Sequence, residues 1–421
     1  MKINILEGFG RTKKNKYRKE IKGRDLYLFT AMTEKGSIIN LFTMRDKEEL
    51  KAWKNIPTYC PECKGRVILK MGTKKITHFA HERKDCCSGN GEAESSYHLQ
   101  GKLQLYQKLL QVNLQPELEP YYPEIKQRGD ISFILHHKKY VIEFQCAVIS
   151  PQLVKKRTDG YRKINIQPIW IIGFNQIKKW NPIKLKLTAF IFQFLTFYQS
   201  QYLLPIYCPF NKVFYLLHNP IPISVSQTFI STSSYPLVKL EKSLPKIPSM
   251  NIHYSYWREL LNRQKTKDLH YPTKTNDHFL KELYAGELHP HFLPPFIGIP
   301  VKEGFLFETP PLFWQAYIFL DSFCLNDEKK IYPLQKVYDF FQKRIKAGHI
   351  KIREFPFLEN IEWKTVVKHY LQMLVSIQVL EEVKPNFFRL LHQKKINNYE
   401  RQTQEEVLFY QRLNNMMISN K

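Results

Sequence analysis

The sequence predicts a mixed α+β protein of several domains, and three observations carry that prediction. The chain has 421 residues, well beyond the ~250–300 at which a single hydrophobic core stops growing. Apolar residues make up 43% and aromatic residues 14%, enough to fill cores despite a formal net charge of +26. That composition excludes a disordered chain. Between residues 92 and 174, helix-period and strand-period stretches follow one another in the order αβββαβ.

Each element has a local reason. Residues 1–25, which include RTKKNKYRKEIKGR, read as a basic extension without the apolar run of a signal peptide. Residues 26–90 read as a small β module, because LYLFTAM and SIINLF are strand-like and flank the turn Glu34-Lys35-Gly36. Residues 91–180 hold the αβββαβ unit. Its first helix, from Glu94 to Leu110, has Leu99, Leu103, Tyr106 and Leu110 as its apolar face. Strands are expected over 117–125, 130–135 and 140–146, a second helix over 151–164, and an apolar strand over 168–173. Residues 181–250 read as a β-rich extension with a buried helix in the apolar run Leu187 to Tyr198. Residues 251–421 read as mainly helical, ending in a helix from Trp363 to Leu374 and a hairpin around Pro385-Asn386. Helix plus basic hairpin is the pattern of a winged helix, and equally of an ordinary α+β packing module.

Charge and cysteine usage narrow the function classes. The first 90 residues hold 21 Lys+Arg against 10 Asp+Glu, so positive charge is densest there. A strongly basic chain seeks polyanions, and nucleic acid is the commonest of these. The run Leu187 to Tyr198 is about a dozen residues, interrupted by Gln193, whereas a membrane span needs ~20. Seven cysteines, an odd number, argue against a disulfide framework. A cytoplasmic protein is expected.

Four of those cysteines lie between positions 60 and 87. Cys60 and Cys63 form a CxxC, and after fourteen intervening residues His78 and His81 form an HxxH. A tight turn aims both sulfurs of a CxxC at one ion, and two histidines close a Zn²⁺ tetrahedron. A hairpin of RVILKMG against KKITHFAH would bring these half-sites together as a zinc ribbon does. Cys86 and Cys87 are spare thiols able to replace a histidine. The competing reading is a reduced CxxC beside two core histidines.

The second constellation depends on strand register. With Leu135 opposite Tyr140, Asp130 faces Gln145 and Ser132 faces Glu143, so all four side chains share one face of the hairpin. Asp130 and Glu143 are then diagonal neighbours able to share a Mg²⁺ or Mn²⁺ ion, and such an ion activates water and neutralises charge on a scissile phosphate. A slip of one residue would separate them. The competing reading makes Asp130 a turn cap and Glu143 the partner of Arg128.

The strings CPECKGRVILKMG, THFAHERK, ESSYHLQGK, LEPYYPEIKQRGDISF, YVIEFQCAVIS, KRTDGY and IQPIWIIG, in this order, resemble the competence protein CoiA family. PPLFWQAYIFLDSF extends the resemblance more weakly toward the C-terminus. It implies a restriction-endonuclease-like core of the PD-(D/E)XK nuclease type and a role in genetic transformation, at the processing or recombination of incoming DNA. Single-stranded or branched DNA and recombination proteins are the implied partners. Carried over by position, Asp130 and Glu143 are the metal carboxylates, Glu94 is the acid of the first helix, and Arg157 and Tyr161 are a supporting pair on the second. Gln145 stands where that superfamily usually has lysine. Glutamine orients water but cannot take its proton, so the resemblance implies either a metal-dependent deoxyribonuclease or a non-catalytic DNA-binding or recombinase-loading adaptor. Lys102 and His98 are the candidates to supply the missing group.

Overall fold

The computed structural model of the chain describes residues 27–44, 47–71, 76–82, 95–225, 227–239, 252–270, 274–323, 330–358, 361–391 and 398–419. The basic extension, Glu94, Cys86 and Cys87 lie outside the described residues. The architecture is mixed α+β and multidomain. Two units partition the chain: residues 1–147 with 159–169, and residues 148–158 with 170–421. No helix among the described residues is long and apolar enough to cross a membrane.

The first unit begins with short strands β1 (Tyr27–Leu28), β2 (Thr30–Met32) and β3 (Ile38–Asn40), followed by helix α1 (Lys47–Ala52). Strands β4 (Thr58–Tyr59), β5 (Arg66–Lys70) and β6 (His78–His81) complete a six-stranded antiparallel sheet in the order β1-β6-β5-β4-β2-β3. Leu28, Ala31, Ile39, Val67, Leu69 and Phe79 form its core. Gly36 turns the β2–β3 hairpin at φ +84°, a conformation glycine adopts without steric cost.

Helix α2 (Ser96–Gln111) starts where Ser95 accepts the His98 N–H at 3.2 Å. Its buried residues are Leu99, Gly101, Lys102, Leu105 and Tyr106, which keep Leu99 and Tyr106 of the expected face but not Leu103 and Leu110. Leu110 is 47% exposed and Lys102 is wholly buried. The helix lies close to the sheet because residue 101 is glycine: a Cβ there would stand 2.0 Å from Phe144 Cε1.

Strands β7 (Glu117–Leu118), β8 (Tyr121–Tyr122), β9 (Gln127–Arg128), β10 (Ile131–Leu135) and β11 (Lys138–Gln145) follow. The single strand expected over 117–125 is broken into β7 and β8, which pair with β10 and β9 respectively. Between them Glu119 adopts φ +52° and Pro120 has no N–H to give a ladder. β10 pairs with β11 around the two-residue turn His136-His137, both at positive φ as a type I′ hairpin requires. Leu135 therefore faces Lys138, not Tyr140. The register differs from the expected one by two residues. Parity survives, because side chains alternate with period two.

Helix α3 (Pro151–Lys163) and strand β12 (Ile166–Gly173) contribute residues to both units. In the second unit β12 runs parallel to β15 (Gln201–Cys208), and β15, β16 (Val213–Ser224) and β17 (Gln227–Pro236) form an antiparallel meander. β13 (Lys184–Leu185) and β14 (Thr196–Tyr198) add to its edges. The buried helix expected within 187–198 is one turn only, α4 (Ala189–Phe192), after which the chain becomes strand β14.

The C-terminal part comprises α5 (Tyr254–His270), α6 (Lys274–Ala285), α7 (Pro311–Ile318), β18 (Ile331–Pro333), α8 (Leu334–Lys346), α9 (Trp363–Ser376), β19 (Leu380–Lys384), β20 (Phe387–Leu390) and α10 (Tyr399–Ser419). Trp257, Trp314, Phe341, Tyr370 and Phe388 anchor its core.

Candidate functional site

The cysteine turn is built by main-chain bonds. Cys60 N–H donates to Gly65 O at 2.8 Å, Lys64 N–H donates to Cys60 O at 3.0 Å, and Lys64 adopts φ +60°. Gly65 N–H reaches Cys63 Sγ at 3.4 Å. The β5–β6 hairpin sets Val67 opposite His81, which brings His81 Nε2 to 3.4 Å from Cys63 Sγ. Cys60, Cys63 and His81 offer three ligand atoms within 4.8 Å of one another. Two thiols and an imidazole are the donor chemistry of a Zn²⁺ site. His78, expected as the fourth ligand, is not in this group of three. Residues i and i+3 of a strand point to opposite faces, and His78 Nδ1 meets the Ile76 carbonyl at 2.7 Å.

Continuing the β10–β11 register by one residue brings Asp130 opposite Glu143. Each carboxylate is held by a different helix. Asp130 Oδ2 meets His98 Nε2 at 3.2 Å and accepts the Phe144 N–H at 2.8 Å, and Lys102 Nζ stands 3.7 Å from Oδ1. Burial pushes the Asp130 carboxyl up, but the charges of His98 and Lys102 with these hydrogen bonds outweigh it, and its pKa lies below the ordinary carboxylate value. Glu143, 3% exposed, accepts a short hydrogen bond from the Tyr161 hydroxyl of α3. Gln145 donates to its neighbour Ala147 O at 2.8 Å. Arg157, also on α3, lies over the Trp170 ring at 5.7 Å. Two carboxylates suffice for a Mg²⁺ site that keeps several waters. Among the described residues, no group of three metal-ligating atoms includes either of them. Arg128 has a carboxylate oxygen of Glu62, the residue between the two cysteines, at 4.0 Å.

Sequence reasoning missed Glu119. Its carboxylate is buried and takes Lys102 Nζ at 2.6 Å on one oxygen. The other oxygen accepts the N–H groups of Phe29 and Thr30 at 2.8 and 3.0 Å, and the Thr30 hydroxyl at 3.1 Å. Burial pushes this carboxyl up, yet Lys102, Arg128 and the Phe29 N–H bring it below its ordinary value. A continuous polar path therefore runs from the β1–β2 segment through Glu119 and Lys102 to Asp130. The signal was Lys102 itself, three residues from Leu99 on the buried stripe, where a lysine demands a counter-charge.

A second ligand-like group, His278, Glu282 and His349, lies in the other unit. Arg344 already supplies its cation, reaching Glu282 at 2.7 Å and Asp321 at 2.6 Å. It is an ion-pair cluster.

The first unit thus combines two carboxylates at one hairpin end with a cysteine–histidine cluster. Three family models match in chain order: the N-terminal domain of competence protein CoiA over residues 42–90, its nuclease-like domain over 94–245, and its C-terminal domain over 252–404. The chain belongs to the CoiA family. It is similar to competence protein CoiA of Bacillus subtilis (strain 168), with 29% identity over 335 residues, 79% of this chain and 89% of that protein. No solved structure matches the chain. A role in competence and transformation follows from the family.

Proposed function

We propose that the protein is a metal-dependent DNA-processing factor of natural transformation, with a PD-(D/E)XK nuclease-like, restriction-endonuclease-type core and a zinc-ribbon-like N-terminal module. The observation that carries this reading is the β10–β11 register, which sets Asp130 against Glu143 at the open end of the hairpin. Asp130 and Glu143 would hold Mg²⁺ or Mn²⁺, with Glu94 as the third acid. Bound there, the ion would lower the pKa of water and neutralise phosphate charge. Gln145 would orient the water, Tyr161 holds Glu143, and Arg157 is a supporting cation. Cys60, Cys63 and His81 would hold Zn²⁺. The DNA substrate would be single-stranded or branched, acted on in the cytoplasm together with recombination proteins.

A specific observation favours the adaptor as a second reading. Lys102 and His98 already neutralise Asp130, and Gln145 provides no base. Cleavage of single-stranded, duplex and branched DNA with Mg²⁺ or Mn²⁺ separates the two readings, with Asp130→Ala and Glu143→Ala as controls. Metal-dependent cleavage lost in both variants supports the nuclease. DNA binding without cleavage, unchanged by Gln145→Lys, leaves the adaptor.

A further inference from the structure

The C-terminal part repeats, strand for strand, an arrangement that reads duplex DNA elsewhere. Its order is α7–β18–α8–α9–β19–β20, and its sheet order is β18-β20-β19. That is a helix, a strand, two helices and a hairpin whose second strand lies between the other two. In such a module the third helix enters the major groove and the hairpin flanks the backbone.

Sequence and packing show which faces remain available. Val366, Val367, Tyr370, Leu371 and Leu374 of α9 point into the core. Lys364, Lys368 and Gln372 follow at i, i+4 and i+8 beside Thr365, on the opposite side. Lys364, Thr365 and Gln372 are exposed and Lys368 is partly so. Lysine, threonine and glutamine are residue types able to donate hydrogen bonds to phosphates and base edges.

The N-terminal turn of α9 is locked in place. Tyr338 of α8 donates its hydroxyl to the Lys364 carbonyl at 3.1 Å, and Trp363 stacks on Phe341 at 5.3 Å. At the hairpin, Lys384 is exposed at the tip, its Nζ 4.1 Å from the centre of the Phe387 ring. The acids beside it are engaged: Glu382 accepts the Asn386 N–H at 2.7 Å and Glu381 pairs with Arg389 at 2.6 Å.

We infer that α9 and the β19–β20 hairpin form a duplex-DNA-binding surface, with Lys364, Lys368 and Lys384 on phosphates and Thr365 and Gln372 facing base edges. The inference does not depend on the chemistry of Asp130 and Glu143.

The test is the affinity of the full chain for a fluorescent duplex of about 20 base pairs, against a single strand of the same sequence. Lys364→Glu/Lys368→Glu/Lys384→Glu is expected to weaken duplex binding at least tenfold. The log–log salt slope should fall by roughly 2–3, at ~0.9 per phosphate contact. Arginine at all three positions should retain binding. Should the glutamate variant melt lower than the parent, glutamine at the same positions provides the same reading. Unchanged duplex affinity and slope overturn the inference and leave the surface to a protein partner. Equal losses for duplex and single strand overturn the groove reading.

Discussion

Among the described residues each unit buries one lysine against one glutamate, and the two pairs are built for different purposes. In the second unit Lys265 and Glu406 are 2.9 Å apart, with side chains only 2% and 5% exposed. Asn262 and Gln402 donate to the same carboxylate at 2.8 and 3.3 Å, so polar side chains of α5 and α10 close the network. In the first unit Lys102 and Glu119 are 2.6 Å apart and both 1% exposed. Here the carboxylate ties down main-chain N–H groups of Phe29 and Thr30, while the lysine faces Asp130, whose side chain is 14% exposed. The first network terminates at a carboxylate that water can reach. A buried ion pair by itself is weak evidence of stability or function. What it leads to is the informative part.

Metal removal should separate the units most. Stripping the metal proposed for Cys60, Cys63 and His81, or making Cys60→Ser/Cys63→Ser, should release about one Zn²⁺ per chain. Residues 27–82 should then lose hydrogen-exchange protection, because a metal held only by the folded module contributes directly to folding. Protection in α5 and α10 should not change. Wild-type protein purified without metal, with β5 and β6 fully protected, would refute the zinc reading.

The next effect is smaller and tests the pairs themselves. Removing one partner of a buried pair costs about 3–5 kcal/mol, so Lys102→Met and Lys265→Met should each destabilise their own unit by that order in denaturant unfolding. The double replacements should diverge. Lys265→Met/Glu406→Leu leaves Asn262 and Gln402, whose side chains can reorient, and most stability should return. Lys102→Met/Glu119→Leu leaves two buried main-chain donors without their acceptor, and it should remain impaired. Equal recovery would erase the distinction between the networks.

That distinction also marks how far the sequence could be read. The succession of helix, strands, helix and strand was legible because period-two and period-3.6 stretches alternate there, but the first expected strand is split into β7 and β8, and β9 was not foreseen. The common face of Asp130 and Glu143 was legible for the same reason: a register error of two residues preserves parity. Lys102 was recognised as a candidate but left off the apolar face, since a lysine within an apolar stripe reads as solvent-facing until its counter-ion is known. That counter-ion, Glu119, comes from a left-handed residue between two short strands, a conformation without local signature. His78 and His81 lie three positions apart on one strand, a spacing that by periodicity alone sets them on opposite faces. The helix expected within 187–198 is only one turn, α4, because a short continuous apolar run does not by itself set the length of a helix.

Acid should expose the difference as a slope. Asp130, Glu119 and Glu406 are held below their ordinary carboxylate values. As pH falls below about 4, the unfolded chain takes up these protons before the native one. Stability is therefore present above that range and lost as pH falls through the native values, at ~1.4 kcal/mol per pH unit for each carboxyl. With Asp130 and Glu119 in one unit and Glu406 in the other, α2 and β11 should lose protection about twice as steeply as α5 and α10. Glu119→Gln should reduce the first slope toward the second. Parallel slopes in the wild type would contradict the coupling of Lys102 to both carboxylates.

The smallest effect concerns single hydroxyl groups, and it separates holding a carboxylate from packing a core. In the second unit Trp170 Nε1–H donates to the Thr158 hydroxyl at 3.2 Å, a neutral bond. In the first, the Tyr161 hydroxyl donates to Glu143, and its ring meets Tyr122 edge-on at 5.9 Å. Thr158→Val should cost about 0.5–1.5 kcal/mol, and Tyr161→Phe, which keeps the ring, about 1.5–3 because its acceptor is a carboxylate. Stability alone does not reveal Tyr161's role. If it positions Glu143 for a metal, Tyr161→Phe should also change Mn²⁺ affinity in calorimetric titration, whereas Thr158→Val should not. A stability loss at Tyr161 with identical Mn²⁺ binding would make that hydroxyl a structural partner only, and Glu143 would then need another group to orient it.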